Sequence, residues 1–298
     1  MYKAHPNNGK SRERRNLPFV KVLMYHRIVS DKSLPGSHWT CVSAKEFRSQ
    51  LEALEKWGFT TVTFDDCRLF LKGELNLPRK PVVLTFDDGY RDTYRYALPA
   101  LQEFGMKAVV FVLGERRIRT NAWDKCLGIH GAPLMKEVEI KELRGAGFEI
   151  GSHTMHHARL TEVSEHDAWK EISVSKIQLE DMLGASVPSF SYPYGAVNQM
   201  LKQLVKAAGY DIACSVVSGP AVFNKDVFEI RRTTILNTTN IAEFRLKLLT
   251  TYRYYEWARW KTKNNLLNLV AKRSNGNDKI HRDVEEVEGA MRSSNEKQ

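Results

Sequence analysis

From residue 19 to about residue 236, short apolar runs rich in β-formers alternate with stretches of helical spacing. "FVKVLMYHRI" predicts a buried first strand that ends at Tyr25 and His26. Ser43 and Glu46 stand three apart like a capping box, and Phe47, Leu51 and Leu54 share one face of the helix that follows, up to Gly58. "FTTVTF" and "PVVLTF" read as strands, followed by a helix with Tyr94, Leu98, Leu101 and Phe104 that stops at Gly105. The strand "KAVVFVLG" completes a strand-helix-strand unit.

The pattern repeats after a polar loop over residues 115–133. A helix around residues 138–143 precedes the strand "FEIGSH", and a long helix over about residues 164–183 closes at Gly184. "VPSFSYPYG" reads as strand and turn, Leu201, Leu204, Val205 and Ala208 mark a helix ending at Gly209, and "YDIACSVV" and "FEIRRTTI" supply further strands. Strands alternating with helices imply parallel pairing with right-handed crossovers, hence a doubly wound sheet or a (β/α) barrel. Both folds place their chemistry at the C-terminal ends of strands.

From Ile241 the alternation gives way to an aromatic, basic segment with helical spacing, and from Ser274 to a polar, charged tail without periodicity. The expected division is a basic flexible N-terminus (1–16), an α/β domain (17–240), a basic aromatic helical extension (241–273) and a disordered tail (274–298). The formal net charge of +10 is concentrated in Lys3, Lys10, Arg12, Arg14 and Arg15 and again over residues 245–273. Such ends suit anionic lipid, nucleic acid or an acidic polymer. No helix-turn-helix or RNP-like pattern accompanies the charge, so no nucleic-acid partner is expected, whereas peripheral contact with a membrane through residues 241–273 is.

Cys41, Cys67, Cys126 and Cys214 are far apart and form no CxxC pair, which fits buried thiols in a reducing compartment rather than a disulfide framework. "LPFVKVLMY" is broken by Pro18 and Lys21 and is too short to span a bilayer, so the expected location is cytoplasmic, at most peripheral to the inner face of the membrane.

Chemistry-bearing groups fall at strand ends: His26 after the first strand, Asp87 and Asp88 after "PVVLTF", His153 and His157 after "FEIGS", and Tyr194 after "PSFSYP". Two His and one carboxylate form a three-ligand set that leaves a metal position open for water, the pattern of a catalytic zinc site. With two adjacent carboxylates, one can ligate while its neighbour takes a proton from the bound water. Spacing alone leaves His153 free to pair with either His156 or His157. A DDG after a strand is also, by itself, a common turn with an N-cap.

"TFDDG", then "GSHTMHH" about sixty residues on, then "SYPYG", resembles in content and order the polysaccharide deacetylases, metal-dependent carbohydrate N-deacetylases. The resemblance covers residues 19–236 and implies a distorted, incomplete (β/α) barrel of about seven parallel strands with a divalent ion, zinc foremost, bound by one Asp and two His. Carried over residue by residue, it makes Asp87 the general base, Asp88, His153 and His157 the metal ligands, and His156 a bystander. The backbone N–H of Tyr194 would serve the oxyanion, and Thr154 would anchor the ligand loop or a turn.

Two departures stand out. The family's Arg two residues before the motif's Pro is replaced by Ser191, and "EIRRTTI" offers Arg232, or less well Arg231, to tether the base. The family's C-terminal Leu-x-His is missing, and His281 lies in the polar tail. "LMYHRI" resembles the start of exopolysaccharide deacetylases with permuted motif order, which implies that His26 is the general acid. Taken on its own, His26 reads as a core histidine.

The implied function is removal of N-acetyl groups from N-acetylhexosamine units of a polysaccharide or lipid-linked saccharide. Trp39, Tyr90, Trp123 and Tyr192 lie near strand-end loops and suit either sugar stacking or ordinary packing. Two rivals are a hydrolase of a non-carbohydrate amide, such as a cyclic imide or ureide, and a non-catalytic binder of membrane or polymer.

Overall fold

The strands run, in chain order, β1 (Lys21–Tyr25), β2 (Arg27–Val29), β3 (Cys41–Ser43), β4 (Thr60–Thr61), β5 (Pro81–Phe86), β6 (Val109–Val112), β7 (Glu149–Ser152), β8 (Ser189–Ser191), β9 (Ile212–Cys214) and β10 (Thr233–Thr234). Between and after them come the helices α1 (Ala44–Lys56), α2 (Phe64–Lys72), α3 (Leu98–Glu103), α4 (Glu137–Gly145), α5 (Glu165–Leu183), α6 (Gln199–Ala207) and α7 (Ile241–Leu248). This computed structural model describes residues 20–32, 38–127, 131–216 and 226–249, with Ala258 and Thr262 besides. Residues 1–16, 274–298 and most of 250–273 lie outside the described part.

All pairings within the main sheet are parallel, in the order β10-β1-β5-β6-β7-β8-β9, and β4 joins the start of β5. This is the curled half-barrel of seven parallel strands that the motif pattern implied. The gap between its ends is spanned by one short segment: Ile230 bridges Cys214 of β9, and three residues later Thr233 pairs with Leu23 of β1. Among the described residues, one isolated bridge stands in place of a full strand and leaves the barrel incomplete.

The period of two along each strand sorts side chains between two cores. Val20, Val22, Val83, Val109, Phe111, Ile212 and Cys214 pack inside the curl, while Leu23, Tyr25, Leu84, Phe86, Val110 and Ile150 pack outward beneath the helices. The inner layer is crowded enough to require glycine at one place. A Cβ on Gly151 would stand 2.4 Å from the Phe111 ring.

"FTTVTF" departs from the expected strand. Only Thr60–Thr61 pair with β5, because Thr63 turns the chain into α2 through a capping box with Asp66. The Thr63-x-x-Asp66 spacing is the overlooked signal. The helix it starts places Phe64 and Cys67 in the inner core, at the end of the barrel where the strands begin. α7 also belongs to the domain's packing: Phe244 is fully buried, stacked at 6.2 Å on Trp57, the residue that caps the C-terminus of α1. Among the described residues no helix is long and apolar enough to cross a membrane.

An inward carboxyl lies at this lower end. Glu149 accepts hydrogen bonds from the Ser189 hydroxyl (2.6 Å) and the Asp65 N–H (2.8 Å), and burial pushes its carboxyl up to about 7. The folded protein therefore holds a proton that the unfolded chain releases at ordinary carboxylate pH, and stability falls as pH rises between those two values. Glu149→Gln removes that dependence. Its stability advantage over wild type should be absent at pH 4 and reach roughly 3 kcal/mol above pH 7, read by denaturant unfolding across pH. A pH-independent difference would refute it.

Candidate metal centre and active site

The same inward alternation that builds the core carries Asp87 past β5, His153 past β7 and Ser191 at the end of β8 to the opposite, upper rim. His26, after β1, and Arg232, just before β10, arrive there from the other side of the curl. The cavity at this rim, about 490 Å³, is lined by His26, Asp87, Asp88, His153, His157 and Tyr194 among others.

Asp88 Oδ1 lies 3.2 Å from His153 Nε2 and 3.2 Å from His157 Nε2, and all three side chains are buried. One donor atom from each lies within 4.8 Å of the others. Two donors each about 2.1 Å from a tetrahedral ion stand about 3.4 Å apart, so the spacing suits a small cation. His156 points elsewhere, its exposed ring bonded through Nδ1 to Glu171 at 2.6 Å.

Hydrogen bonds behind the donors fix their orientation. His153 donates from Nδ1 to the Ser191 carbonyl at 2.7 Å, which leaves a lone pair on the Nε2 that faces Asp88. An imidazole lone pair against a carboxylate oxygen is acceptor against acceptor, and a cation between them resolves it. His157 Nδ1 meets the Tyr194 hydroxyl at 3.1 Å, and its backbone N–H donates to Thr154 Oγ1 at 3.0 Å. Thr154 thus ties the ligand loop. Burial lowers the pKa of His157 despite Asp88, favouring the neutral form that ligates.

Asp87, one residue earlier, has a different partner. Arg232 grips both of its oxygens, Nη1 to Oδ1 and Nη2 to Oδ2, each at 2.6 Å. The guanidinium also donates to Thr85 Oγ1, Ser191 Oγ and the Ser215 carbonyl, and it is fully buried. Burial would raise the Asp87 pKa, and the guanidinium brings it below the ordinary value. Arg231 is partly exposed and lies 3.9 Å from Glu229. Ser191, where the family pattern has Arg, bridges the two groups: its hydroxyl accepts from Arg232 at 2.9 Å and donates to Asp87 at 3.3 Å.

His26 lines the same cavity, and its Nδ1 is buried with no hydrogen-bond partner among the described residues. Tyr194 adopts a left-handed backbone, φ 58°, as do Asp88, Thr154 and His157 at 73°, 66° and 62°. Among the described residues no other non-glycine residue has positive φ. Backbone conformations that cost energy persist where the surroundings over-determine them, and here they coincide with the site.

Of the four aromatics singled out above, Trp39, Tyr90 and Trp123 line the cavity, the last stacked on His157 at 4.3 Å. Tyr192 is buried away from it, donating to the Phe228 carbonyl. Two groups in the wall escaped the sequence reading. Arg159 lies over the Tyr194 ring at 4.1 Å, and Arg27 pairs with Asp92 at 2.7 Å, whose carboxyl burial pushes up to about 6. Arg27 follows His26 and Asp92 ends "TFDDGYRD", so adjacency to the motifs was the available signal.

A family model described as polysaccharide deacetylase matches residues 74–213. YxkH of Bacillus subtilis (strain 168), a protein named for this family, is 30% identical over 213 residues, covering 72% of this chain and 70% of its own length. The chain belongs to the polysaccharide deacetylase family. It is accordingly a hydrolase of the metal-dependent deacetylase type, and Asp88, His153 and His157 are residues able to hold the metal. Its relatives include the poly-β-1,6-N-acetyl-D-glucosamine N-deacetylase of Staphylococcus aureus (strain MRSA252), 25% identical over an alignment of 200 residues that covers 64% of this chain and 66% of that enzyme. The crystal structure of BC0361, a polysaccharide deacetylase from Bacillus cereus, is 26% identical and covers 77% of this chain and 69% of its own, with a TM-score of 0.65.

Proposed function

We propose that this polysaccharide deacetylase hydrolyses the acetamide of N-acetylhexosamine units in a polysaccharide or lipid-linked saccharide. The observation that carries the reading is the division of labour between adjacent carboxylates: Asp88 faces two imidazoles, while Asp87 faces a buried guanidinium. The S. aureus relative, by its name, acts on an acetylglucosamine polymer, which supports the substrate class.

Zinc suits a donor set of two imidazoles and one carboxylate with room for water, and when bound it supplies Lewis acidity and acidifies that water. Asp88, His153 and His157 are its proposed ligands. Asp87 takes the proton of the attacking water, with Arg232 and Ser191 fixing its direction of approach. The Tyr194 N–H donates to the oxygen on which charge develops. His26 gives its proton to the departing amine, so that a neutral amino group leaves.

Acetate release from an acetylglucosamine oligomer tests the reading. Chelation should abolish release and zinc restore it; in His153→Ala added zinc should restore nothing. Metal binding without release from any acetylated saccharide would move the reading to a non-carbohydrate amide. Absence of metal binding would refute the proposal. We further propose a cytoplasmic, membrane-peripheral location, supported by the free buried thiols of Cys41, Cys67 and Cys214 and by the basic aromatic composition of residues 241–273.

A further inference from the structure

We propose that a second, basic hollow at the end of the barrel where the strands begin is a docking face for anionic lipid. Lys21, Lys56, Arg79, Lys80 and Arg245 surround it, over a floor that includes Trp57 and Phe59. It has a volume of about 740 Å³, and among the described residues no carboxylate lines it.

A solvated face ordinarily mixes both signs of charge. Of the carboxylates on these helices, Glu243 pairs with Lys247 at 3.1 Å, and Glu55 lines the neighbouring hollow that shares Phe59 with this one. The cations are also seated on rings. Lys80 Nζ and Lys21 Nζ lie 5.7 and 6.0 Å from the centre of Phe59, and the Arg245 guanidinium lies 5.8 Å from that of Trp57. Trp57 in turn stacks on the fully buried Phe244, so the charged array is tied to the core.

Apolar groups complete the surface. Leu249 lines the hollow at 47% exposure and Leu246 on α7 stands 50% exposed. Cations with apolar stems beside aromatic rings and exposed leucines match the composition of interfacial surfaces that meet acidic headgroups. The sequence after Leu249 is similar in composition, with Tyr252, Arg253, Trp257, Arg259, Trp260 and Lys261. The surface proposed here is nevertheless in the folded domain and distinct from that segment.

Docking by this face sets the orientation of the enzyme. Lys21 and Pro81 open β1 and β5, whereas His26 and Asp87 follow their far ends. Six residues of β5 separate the two faces by roughly 20 Å. The cavity then opens away from the lipid, towards sugars extended from the surface rather than one held at the headgroups. This last step rests on the function proposed above; the docking itself does not.

Flotation of the full chain with phosphatidylcholine vesicles, with and without phosphatidylglycerol, tests the proposal. The protein should float only with the anionic vesicles, and high salt should release it. The triple variant Lys56→Glu, Arg79→Glu, Lys80→Glu should float at least about tenfold less while releasing acetate from a soluble oligomer at the wild-type rate. Wild-type flotation by the triple variant would assign any binding to the segment after Leu249 and overturn the proposal. So would failure of the wild type to float, including the case in which it is retained on an RNA oligomer instead. Flotation without acetate release would leave the docking face standing and refute the catalytic reading alone.

Discussion

Asp87→Asn is expected to lower acetate release by roughly 10²–10⁴-fold while the zinc remains bound. Asparagine keeps the shape of the side chain and one acceptor for Arg232, but its amide NH2 turns a donor towards the other guanidinium nitrogen and cannot take up a proton at neutral pH. Asp88→Asn predicts the opposite combination. The carboxylate between two imidazoles at 3.2 Å is lost, and metal content should fall together with activity. Acetate release measured beside bound zinc separates the two variants, with circular dichroism confirming that each is folded. If Asp87→Asn loses the metal and Asp88→Asn keeps it, the assigned roles must be exchanged.

Most of this site was legible because it is local. Asp87 with Asp88, His153 with His157, and Tyr194 each sit within a few residues of a strand end, and strand ends are readable from β-rich runs bounded by turn residues. The parallel alternation then gathers them on one rim without knowledge of any contact. The sequence also showed, through its resemblance to a family, that an arginine was missing where Ser191 stands.

The structure adds that Ser191 joins the two halves of the site: its carbonyl orients His153 and its hydroxyl touches both Arg232 and Asp87. A serine at a strand end carries no such signal by itself, since its partners lie 38 to 104 positions away in sequence. The strained backbone at Asp88, Thr154, His157 and Tyr194 was equally hidden, because none of these is glycine. The short strand β4 failed for a local reason: Thr63 and Asp66 cap a helix, and capping outweighs the β-propensity of a threonine-rich run.

Arg232→Met should destabilise the fold by roughly 3–5 kcal/mol at neutral pH, as well as depress activity. The reason is the burial of both partners: Arg232 is 0% and Asp87 1% exposed at the side chain, so removing the guanidinium leaves a buried carboxylate without its countercharge. Met fills similar volume and stacks as well on Phe111, which Arg232 overlies at 5.6 Å, so the loss isolates charge rather than packing. The pH dependence follows from the direction of the Asp87 shift. Held below its ordinary value in the wild type, the carboxylate contributes stability above its unfolded pKa that is lost as pH falls through its folded pKa. The deficit of Arg232→Met should therefore be largest near neutrality and shrink in acid, where the stranded carboxyl takes a proton. Adding Asp87→Leu to Arg232→Met should recover much of the stability and none of the activity, since an uncharged pair has nothing left to strand. Arg232→Lys should fall between, its single ammonium unable to engage both Asp87 oxygens and Ser191 at once. Denaturant unfolding of the four proteins across pH reads the whole series, and a constant deficit at every pH would assign Arg232 to packing instead of to holding the base.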